Sequence, residues 1–224
     1  MARAGQGRGP GVRTCEAKIG RHGLSHCHPE FLMLSPNEAP KPALRREVRA
    51  RLALLTEIQH ERLSAQACTL LQRQKLWQEA RAVLFYAPLS GELDVWPLVV
   101  KALEAGKTVA LPQFVATTDG YVACQVRDPD GDLASGQFGI REPARHCARM
   151  PLNQLDLVLV PGVAFDLHGR RLGRGKGYFD RLLTAVRGTT CGVAFDEQIV
   201  SKVPVEPHDQ HVNCILTPTR WVQL

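Results

Sequence analysis

The chain lacks several features that define large classes of protein. Its 224 residues contain no apolar run long enough to cross a bilayer, and no apolar stretch follows the basic N-terminal residues. The seven cysteines are scattered and include no Cys-x-x-Cys pair, which argues against a disulfide framework and against a structural zinc site. We therefore expect a cytoplasmic protein with reduced thiols, without a membrane span or a secretory signal.

Aromatic residues are also scarce, at 6%, whereas basic residues exceed acidic ones and give a formal net charge of +6. Such a charge favours anionic partners, either nucleic acids or phosphorylated small molecules. The basic residues concentrate at 41–51 and at 170–181, and no RNA- or DNA-binding motif accompanies them. A nucleic-acid-binding module is a rival hypothesis, but we expect a phosphate-bearing small molecule and no specific nucleic acid.

Residues 1–40 are rich in glycine, arginine, histidine and proline and show little apolar periodicity. That composition predicts a flexible, disordered basic arm in front of a single catalytic domain at 41–224. Four possible metal ligands lie close together in the arm, namely His22, His26, Cys27 and His28. We interpret them as accidental neighbours, and Met33 is an alternative start of the chain. No amphipathic helix supports a mitochondrial presequence.

Beyond the arm, helical and strand patterns alternate. Apolar runs at 82–87 and 155–160 are typical of buried strands, and a helix is expected at about 94–105, capped by Asp94 and ended by Gly106. Further elements are expected in the order strand 108–111, strand 121–126, helix from about 178, strand 190–195 and strand 213–217. The alternation predicts a three-layer α/β/α domain with a mostly parallel central sheet.

Ligands of parallel sheets gather at the carboxyl ends of the strands. Two loops occupy that position in the predicted fold. One follows residues 85–86 and carries Glu92, and the other follows Val160 and is rich in glycine. Residues 127–150, which are rich in glycine, aspartate, proline and arginine, are expected to be irregular.

The second loop alternates glycine with cations, since Gly173, Gly175 and Gly177 enclose Arg174 and Lys176. Glycine permits positive φ and close approach of the backbone, so successive amides can surround an anion. A helix that starts after the loop would add partial positive charge. The segment matches neither the P-loop nor the dinucleotide fingerprint. From these residues alone, an anion site is favoured over a plain flexible turn.

Longer stretches around this loop resemble a known family. Leu159–Asp166 and Gly169–Arg181 closely resemble the signature of the 5-formyltetrahydrofolate cyclo-ligases, also called 5,10-methenyltetrahydrofolate synthetases. Shorter matches to the family's other motifs occur, in order, at 41–45, 91–94, 139–143, 194–198, 203–204 and 208–209. The resemblance covers about residues 41 to 218. Phe179 stands where the family more usually has tyrosine.

The resemblance implies an ATP-dependent ligase of folate one-carbon metabolism. The family converts 5-formyltetrahydrofolate to 5,10-methenyltetrahydrofolate by phosphorylation of the formyl oxygen and attack by N10, with release of ADP and phosphate. It implies ATP as co-substrate, Mg²⁺ as cofactor, and a substrate that can be polyglutamylated. We expect a monomer with no membrane partner.

The resemblance also implies a role for each matched residue. Contacts to ATP are implied for Lys41, Arg45, Arg171, Leu172, Gly173, Arg174, Gly175, Lys176, Gly177, Tyr178 and Phe179. Contacts to the folate are implied for Tyr86, Ala87, Glu92, Arg174, Gly175, Lys176, Gly177 and Tyr178. The catalytic groups are Lys176, Arg174 and Tyr178, and the Mg²⁺ ligands are Asp180 and Asp209. Tyr178 either stacks on the pterin or orders the formyl group.

Each of these residues also has a purely structural interpretation. From the residues alone, Lys41 and Arg45 are more typical of surface cations on a helix, and Asp180 of a charge at a helix start. Glu92 can cap the following helix as Asp94 is expected to do. A further rival keeps the fold but binds a sugar phosphate or coenzyme A. The intact set of cations and carboxylates favours the cyclo-ligase reaction.

Overall fold

A computed structural model describes residues 40–136 and 139–224. Apart from Pro40, which begins the first helix, the predicted arm with its histidine and cysteine group and Met33 therefore lies outside the described residues. Five α-helices are described: α1 Pro40–Leu52, α2 Glu57–Gln72, α3 Lys75–Glu79, α4 Trp96–Glu104 and α5 Tyr178–Leu183. In the described part of the chain, none of the helices is long and apolar enough to span a membrane. The five described cysteines are free thiols.

Twelve short strands are described, and eight of them form one sheet. They are β1 Ala82–Leu84, β2 Thr108–Val115, β3 Gly120–Val126, β4 Leu133–Ser135, β5 Arg141–Pro143, β6 Arg149–Met150, β7 Leu157–Pro161, β8 Ala164–Phe165, β9 Arg171–Leu172, β10 Thr189–Val193, β11 Cys214–Leu216 and β12 Trp221–Gln223. The sheet has the order β12-β11-β10-β7-β1-β2-β3-β6. Its five central strands, β11 to β2, pair in parallel, and the outer strands pair antiparallel. The mostly parallel sheet is confirmed.

The central strands are buried on both faces, which explains why they read as continuous apolar runs. In β1, Val83 packs into a core with helices α2, α3 and α4, whereas Leu84 packs into a core on the opposite face with α5. In β7, Leu157 and Val158 alternate in the same way. Side chains of successive strand residues point to opposite faces. The result is the predicted arrangement of helix layers on both sides of a sheet.

Several element ends differ from the sequence prediction. Helix α4 begins at Trp96 rather than near residue 94, but the Asp94 carboxylate accepts a hydrogen bond from the Trp96 amide at 2.9 Å. Residues 127–150 are less irregular than expected, because β4 and β5 form a hairpin and β6 pairs with β3. Helix α2 starts at a capping box in which Thr56 and Gln59 bond reciprocally.

The topology places the two predicted ligand loops side by side. Strands β1 and β7 are parallel neighbours, so the loops that follow their carboxyl ends open at the same edge of the sheet. Behind the second loop, a Cβ added to Gly162 or Gly192 would lie 2.6 Å from the Phe165 ring. The absence of a side chain at these two glycines therefore lets β7 and β10 pack tightly against Phe165.

Candidate active site

A cavity of about 290 Å³ lies at this edge of the sheet, between the two loops. The first loop contributes Tyr86, Ala87, Leu89 and Glu92, and the second contributes residues from Gly173 to Asp180 except Gly175. Strands β2, β3 and β5 close the cavity with Pro112, Tyr121 and Glu142. Most of the residues predicted to contact folate thus line one cavity.

An ion pair joins the two loops across the cavity. Arg174 donates two hydrogen bonds to Glu92 Oε1, from Nε at 3.0 Å and from Nη2 at 2.8 Å. The other carboxylate oxygen, Oε2, accepts from the Leu89 amide at 3.0 Å. Gly91, with φ +83°, completes this turn. Glu92 is therefore fixed by its own turn and reaches the cation of the other loop, instead of capping α4.

The glycines of the second loop permit its conformation at two positions. Gly175 has φ +105° and Gly177 has φ +66°, and both values are ones that other residues rarely adopt. Between them Lys176 is exposed, and its ammonium has no hydrogen-bond or ion-pair partner among the described residues. Its carbonyl accepts from Arg181 Nη1 at 3.2 Å, which holds the main chain. The Lys176 ammonium is therefore available to a ligand.

Asp180 and Arg171 form a largely buried ion pair on the inner wall of the cavity. Arg171 Nη2 lies 2.6 Å from Asp180 Oδ1, and Arg171 Nη1 donates to the Pro161 carbonyl at 3.2 Å. Asp180 Oδ1 also accepts from the Gln210 amide at 3.3 Å. Arg171 Nε is buried and has no hydrogen-bond partner in the part of the chain that the structure describes. Arg171 thus holds the loop after β7 to the start of α5.

The first helix brings its two predicted cations to the same region. Lys41 Nζ lies 2.6 Å from Asp209 Oδ2 and 3.3 Å from Glu206 Oε2, and Arg45 Nε donates to the Gly173 carbonyl at 2.9 Å. Burial alone would raise the pKa of Asp209, but hydrogen bonds from Lys41 and the Glu206 amide, together with the Lys41 charge, lower it on balance. Both cations are therefore held by contacts within the protein. Arg45 contacts a residue that lines the cavity, whereas neither Lys41 nor Asp209 lines it.

Leu172 is the one residue of the predicted ATP set whose side chain is fully occupied by packing. It is 1% exposed and belongs to a small core with Val48, Val163 and Val203. Its carbonyl accepts from the Val163 amide at 2.7 Å. A contact from Leu172 to a nucleotide would have to use the remaining main-chain atoms.

Tyr178 stands at the mouth of the cavity in a group of aromatic rings. Its ring centroid lies 5.4 Å from that of Phe114 and 5.3 Å from that of Tyr121, both in edge-to-face geometry. Its hydroxyl donates to Asp119 Oδ1 at 3.3 Å. Partial desolvation and the Asp119 carboxylate raise the pKa of Tyr178, so it stays protonated at neutral pH. Arg181 lies over the ring, 5.1 Å from its centroid.

Tyr86 is different, because its hydroxyl is already used inside the protein. It donates to the Leu93 carbonyl at 2.7 Å, and the side chain is 2% exposed. Burial and the neighbouring Glu92 carboxylate raise the pKa of Tyr86 well above its ordinary value. Tyr86 can offer a ligand the surface of its ring, whereas its hydroxyl is committed to the turn that carries Glu92.

Sequence reasoning gave no role to Phe114 and Glu142. Glu142 is buried, lines the cavity, and accepts a hydrogen bond at Oε2 from the Phe114 amide at 3.1 Å. The family motif at 139–143 could have indicated that Glu142 belongs to the site. No sequence pattern near Phe114 indicates that β2 places this ring beside Tyr178. Its place depends on the pairing of β2 with β3.

Comparisons with known proteins point to one family. The model of the 5-formyltetrahydrofolate cyclo-ligase family matches residues 37–218. A protein of Escherichia coli named 5-formyltetrahydrofolate cyclo-ligase is 33% identical over 177 residues, which cover 77% of this chain and 97% of that protein. A probable 5-formyltetrahydrofolate cyclo-ligase of Caenorhabditis elegans is 31% identical over 191 residues, or 79% of this chain and 91% of that protein.

Solved structures are similar as well. The structure of 5,10-methenyltetrahydrofolate synthetase from Aquifex aeolicus superposes with a TM-score of 0.75 at 34% identity, over 82% of this chain and 92% of that one. A synthetase of the same name from Mycoplasma pneumoniae has a TM-score of 0.65 at 20% identity, over 80% of this chain and 99% of that one, and supports the fold.

Proposed function

The chain belongs to the 5-formyltetrahydrofolate cyclo-ligase family, and we propose that it converts 5-formyltetrahydrofolate to 5,10-methenyltetrahydrofolate at the cavity described above, with consumption of ATP. The observation that carries the proposal is the Arg174–Glu92 ion pair. It joins a loop rich in cations to a loop that offers a carboxylate, on the wall of a cavity lined by tyrosines. Such a cavity suits a pterin on one side and phosphates on the other.

The reaction requires activation of an amide-like carbon. The formyl oxygen attacks the γ-phosphorus of ATP, and ADP leaves. N10 then attacks the activated formyl carbon, the carbon–oxygen bond breaks, and phosphate departs with the former formyl oxygen. N10 gives up its proton as the ring closes. Positioning and charge neutralisation therefore contribute more than acid–base groups of the protein.

Lys176 and Arg174 can both bring a positive charge to the phosphoryl group. They differ in their present partners. Lys176 is exposed and has no described partner, so it can move onto phosphate oxygens without breaking an ion pair. Arg174 is bound to Glu92 by two hydrogen bonds, so its movement onto phosphate would release the carboxylate. Cations placed where charge moves in the transition state lower the barrier strongly.

Glu92 is placed to recognise the pterin. Its Oε2 stays fixed by the Leu89 amide, while Oε1 can exchange the Arg174 guanidinium for N–H groups of the ring. A carboxylate that accepts such bonds orients the ring strongly. Tyr178, which is held at the cavity mouth by Phe114 and Tyr121, supplies an aromatic edge or face for the pterin or orders the formyl group.

The nucleotide is assigned to the side of the cavity next to α1. Arg45 already donates to the Gly173 carbonyl, and its guanidinium lies 3.6 Å from the position of a Cβ added to Gly175. Lys41 lies at the start of the same helix. Main-chain amides between Gly173 and Gly177, together with these cations, would surround the phosphates. This assignment stays a prediction, as does the contact from Leu172.

The carboxylates proposed as Mg²⁺ ligands fit that ion in their chemistry. In both Asp180 and Asp209 one oxygen accepts the hydrogen bonds of an ion pair, from Arg171 and from Lys41 respectively. The second oxygen of each has no hydrogen bond to a described residue, which leaves one hard ligand atom on either side chain. Bound Mg²⁺ would neutralise phosphate charge. The residues of this chain orient the carboxylates that hold it.

Four finer expectations stay predictions. They concern a polyglutamylated substrate, a cytoplasmic location, a monomeric state, and the lack of specific nucleic-acid or membrane partners. The net charge of +6 fits polyanionic folates as well as ATP. Binding to arbitrary RNA that survives deletion of residues 1–40 and weakens with salt would instead favour the nucleic-acid hypothesis.

A direct assay tests the proposed reaction. The purified chain is mixed with 5-formyltetrahydrofolate, ATP and Mg²⁺, and the absorbance of the methenyl product is followed. We expect product only when all three are present, with one ADP formed for each product molecule. Folded protein that forms no product would refute the proposal. A protein that hydrolyses ATP without forming the methenyl ring would favour the rival in which the fold is kept but the substrate differs.

A further inference from the structure

Three chemically different side chains meet in the hairpin segment, which comprises residues 127–150. Asp132 ends the turn before β4, and His146 and Cys147 belong to the turn between β5 and β6. A carboxylate oxygen, an imidazole nitrogen and the thiol sulfur lie within 4.8 Å of one another. Among residues 40–136 and 139–224 this is the one group of three or more such side chains close enough to share an ion. None of the three lines the cavity.

Main-chain hydrogen bonds hold the two turns together. The Ala144 amide donates to the Asp132 carbonyl at 2.7 Å, and the Cys147 amide donates to the Ala144 carbonyl at 3.0 Å. The Asp132 amide donates to the Asp128 carbonyl at 2.8 Å. The relative placement of the three side chains therefore does not depend on side-chain contacts alone, and a ligand would not have to assemble the group.

The Asp132 carboxylate is fixed and charged. Its Oδ2 accepts from the Arg127 amide at 2.7 Å and from the Asp128 amide at 3.0 Å, and its Oδ1 lies 3.0 Å from His146 Nε2. The Arg127 amide, the His146 ring and the Asp128 amide lower the pKa of Asp132 to about 2. The carboxylate is thus ionised across the physiological range and attracts a cation at Oδ1.

The Cys147 thiol completes the group. Its Sγ donates to the Asp132 carbonyl at 3.4 Å. A metal ion bound at the sulfur stabilises the thiolate directly, and the thiol proton is released to solvent.

We propose that Asp132, His146 and Cys147 bind a divalent transition-metal cation of the zinc class, with water as the fourth ligand. In a tetrahedral site with ordinary bond lengths, oxygen and nitrogen ligands lie about 3.4 Å apart, and sulfur lies about 3.6 Å from either. The Asp132–His146 distance of 3.0 Å is close to that value, and a closing movement of at most about 1.2 Å brings in the sulfur. His146 can make it because its side chain is 64% exposed.

The donor set selects against Mg²⁺. Imidazole and thiolate ligands favour zinc, cobalt and related ions, whereas Mg²⁺ prefers oxygen ligands throughout. The site is therefore chemically separate from the carboxylates Asp180 and Asp209. It would connect the two turns that flank the β4–β5 hairpin, whose second strand supplies Glu142 to the cavity. The inference does not depend on the proposed reaction.

The experiment has to separate this site from other possible ligands in the arm. A variant of the full chain that carries Cys15→Ser, His22→Ala, His26→Ala, Cys27→Ser and His28→Ala serves as the background. It is stripped of metal and titrated with Zn²⁺ against a chromophoric chelator, and with Co²⁺ while thiolate-to-cobalt charge-transfer absorbance is recorded. We expect one Zn²⁺ per chain and a charge-transfer band.

Cys147→Ser and His146→Ala, each added to that background, should lower Zn²⁺ affinity at least about 100-fold, and Cys147→Ser should also abolish the cobalt band. His211→Ala, an exposed histidine elsewhere, is the matched control and should bind as the background does. Circular dichroism spectra confirm that the variants are folded. A background that binds no Zn²⁺, or a Cys147→Ser variant that keeps the affinity and the band, would overturn the inference.

Discussion

The signature segment, residues 159–181, and the hairpin segment, residues 127–150, both border the cavity, but Lys176 of the first and Asp132 of the second are used in opposite ways. In the signature segment Lys176 lies between Gly175 and Gly177, and its ammonium has no hydrogen-bond or ion-pair partner among the described residues. In the hairpin segment, Asp132 and its neighbours bind one another at 2.7 to 3.0 Å. The first arrangement leaves a charge for a ligand of the cavity, whereas the second holds two turns together at a place that does not line the cavity.

This difference separates two kinds of substitution. Loss of a group that is reserved for a ligand should reduce turnover and leave stability unchanged. Loss of a group that is satisfied within the protein should reduce stability and leave turnover nearly unchanged. Substitutions in each segment can therefore confirm the distinction or refute it.

The largest effect is expected from Lys176→Ala. Removal of a cation from moving phosphate charge should lower kcat by about 100- to 1,000-fold, while the free energy of unfolding changes by less than about 0.5 kcal/mol because the side chain is exposed. Steady-state kinetics and urea unfolding measure the two quantities. Lys75→Ala removes a cation that is also exposed, in α3, and is the matched control. Normal turnover in Lys176→Ala would remove the signature segment from the catalytic machinery.

A smaller effect is expected from Glu92→Gln, at the point where the signature segment meets the other loop. The amide cannot pair with Arg174 as an ion and offers the pterin one acceptor in place of two. We expect KM for 5-formyltetrahydrofolate to rise about 10- to 100-fold, with a smaller change in KM for ATP.

The control for Glu92→Gln is Glu104→Gln, which changes an exposed carboxylate that pairs with Lys101 on α4. Glu104→Gln should leave both KM values unchanged. Equal increases of the two KM values in Glu92→Gln would mean that Glu92 only shapes the cavity. The assignment of this carboxylate to the pterin would then be wrong.

The signature segment could be predicted from sequence because its information is local. Glycine at alternate positions, intervening cations and a following helix lie within one short stretch, and the structure confirms positive φ at Gly175 and Gly177 and a helix from Tyr178. Strands β1 and β7 were predictable for a similar reason, since burial on both faces gives continuous apolar runs. Their neighbouring positions were not predicted and come from the strand order of the folded sheet.

The hairpin segment could not be predicted in this way. Its three clustered side chains come from two turns, and Asp132 lies 14 residues before His146 in the sequence. No short spacing motif therefore reveals them. The expectation of no structural zinc site rested on the absence of Cys-x-x-Cys, which detects only ligands that are close in sequence. The ion pairs Lys41–Asp209 and Arg171–Asp180 likewise depend on tertiary contacts. Local sequence patterns carry no information about such pairs.

The smallest effect is expected from Asp132→Asn, measured on metal-free protein. The folded-state pKa of Asp132 is lowered from 3.8 to about 2, so the carboxylate contributes stability that is present above pH 4 and is lost as the pH falls through about 2. Asparagine can still accept hydrogen bonds from the Arg127 and Asp128 amides, so the loss at pH 7 should be about 1 kcal/mol. Urea unfolding at pH 7 and near pH 2 should show that the difference in unfolding free energy between Asp132→Asn and the unmodified chain disappears in acid.

Asp130→Asn, an exposed neighbour in the same turn, should unfold as the unmodified chain does at both pH values. A loss of turnover in Asp132→Asn, without a loss of stability at pH 7, would show that the hairpin segment also reserves charge for a ligand of the cavity, and the distinction between the two segments would fail.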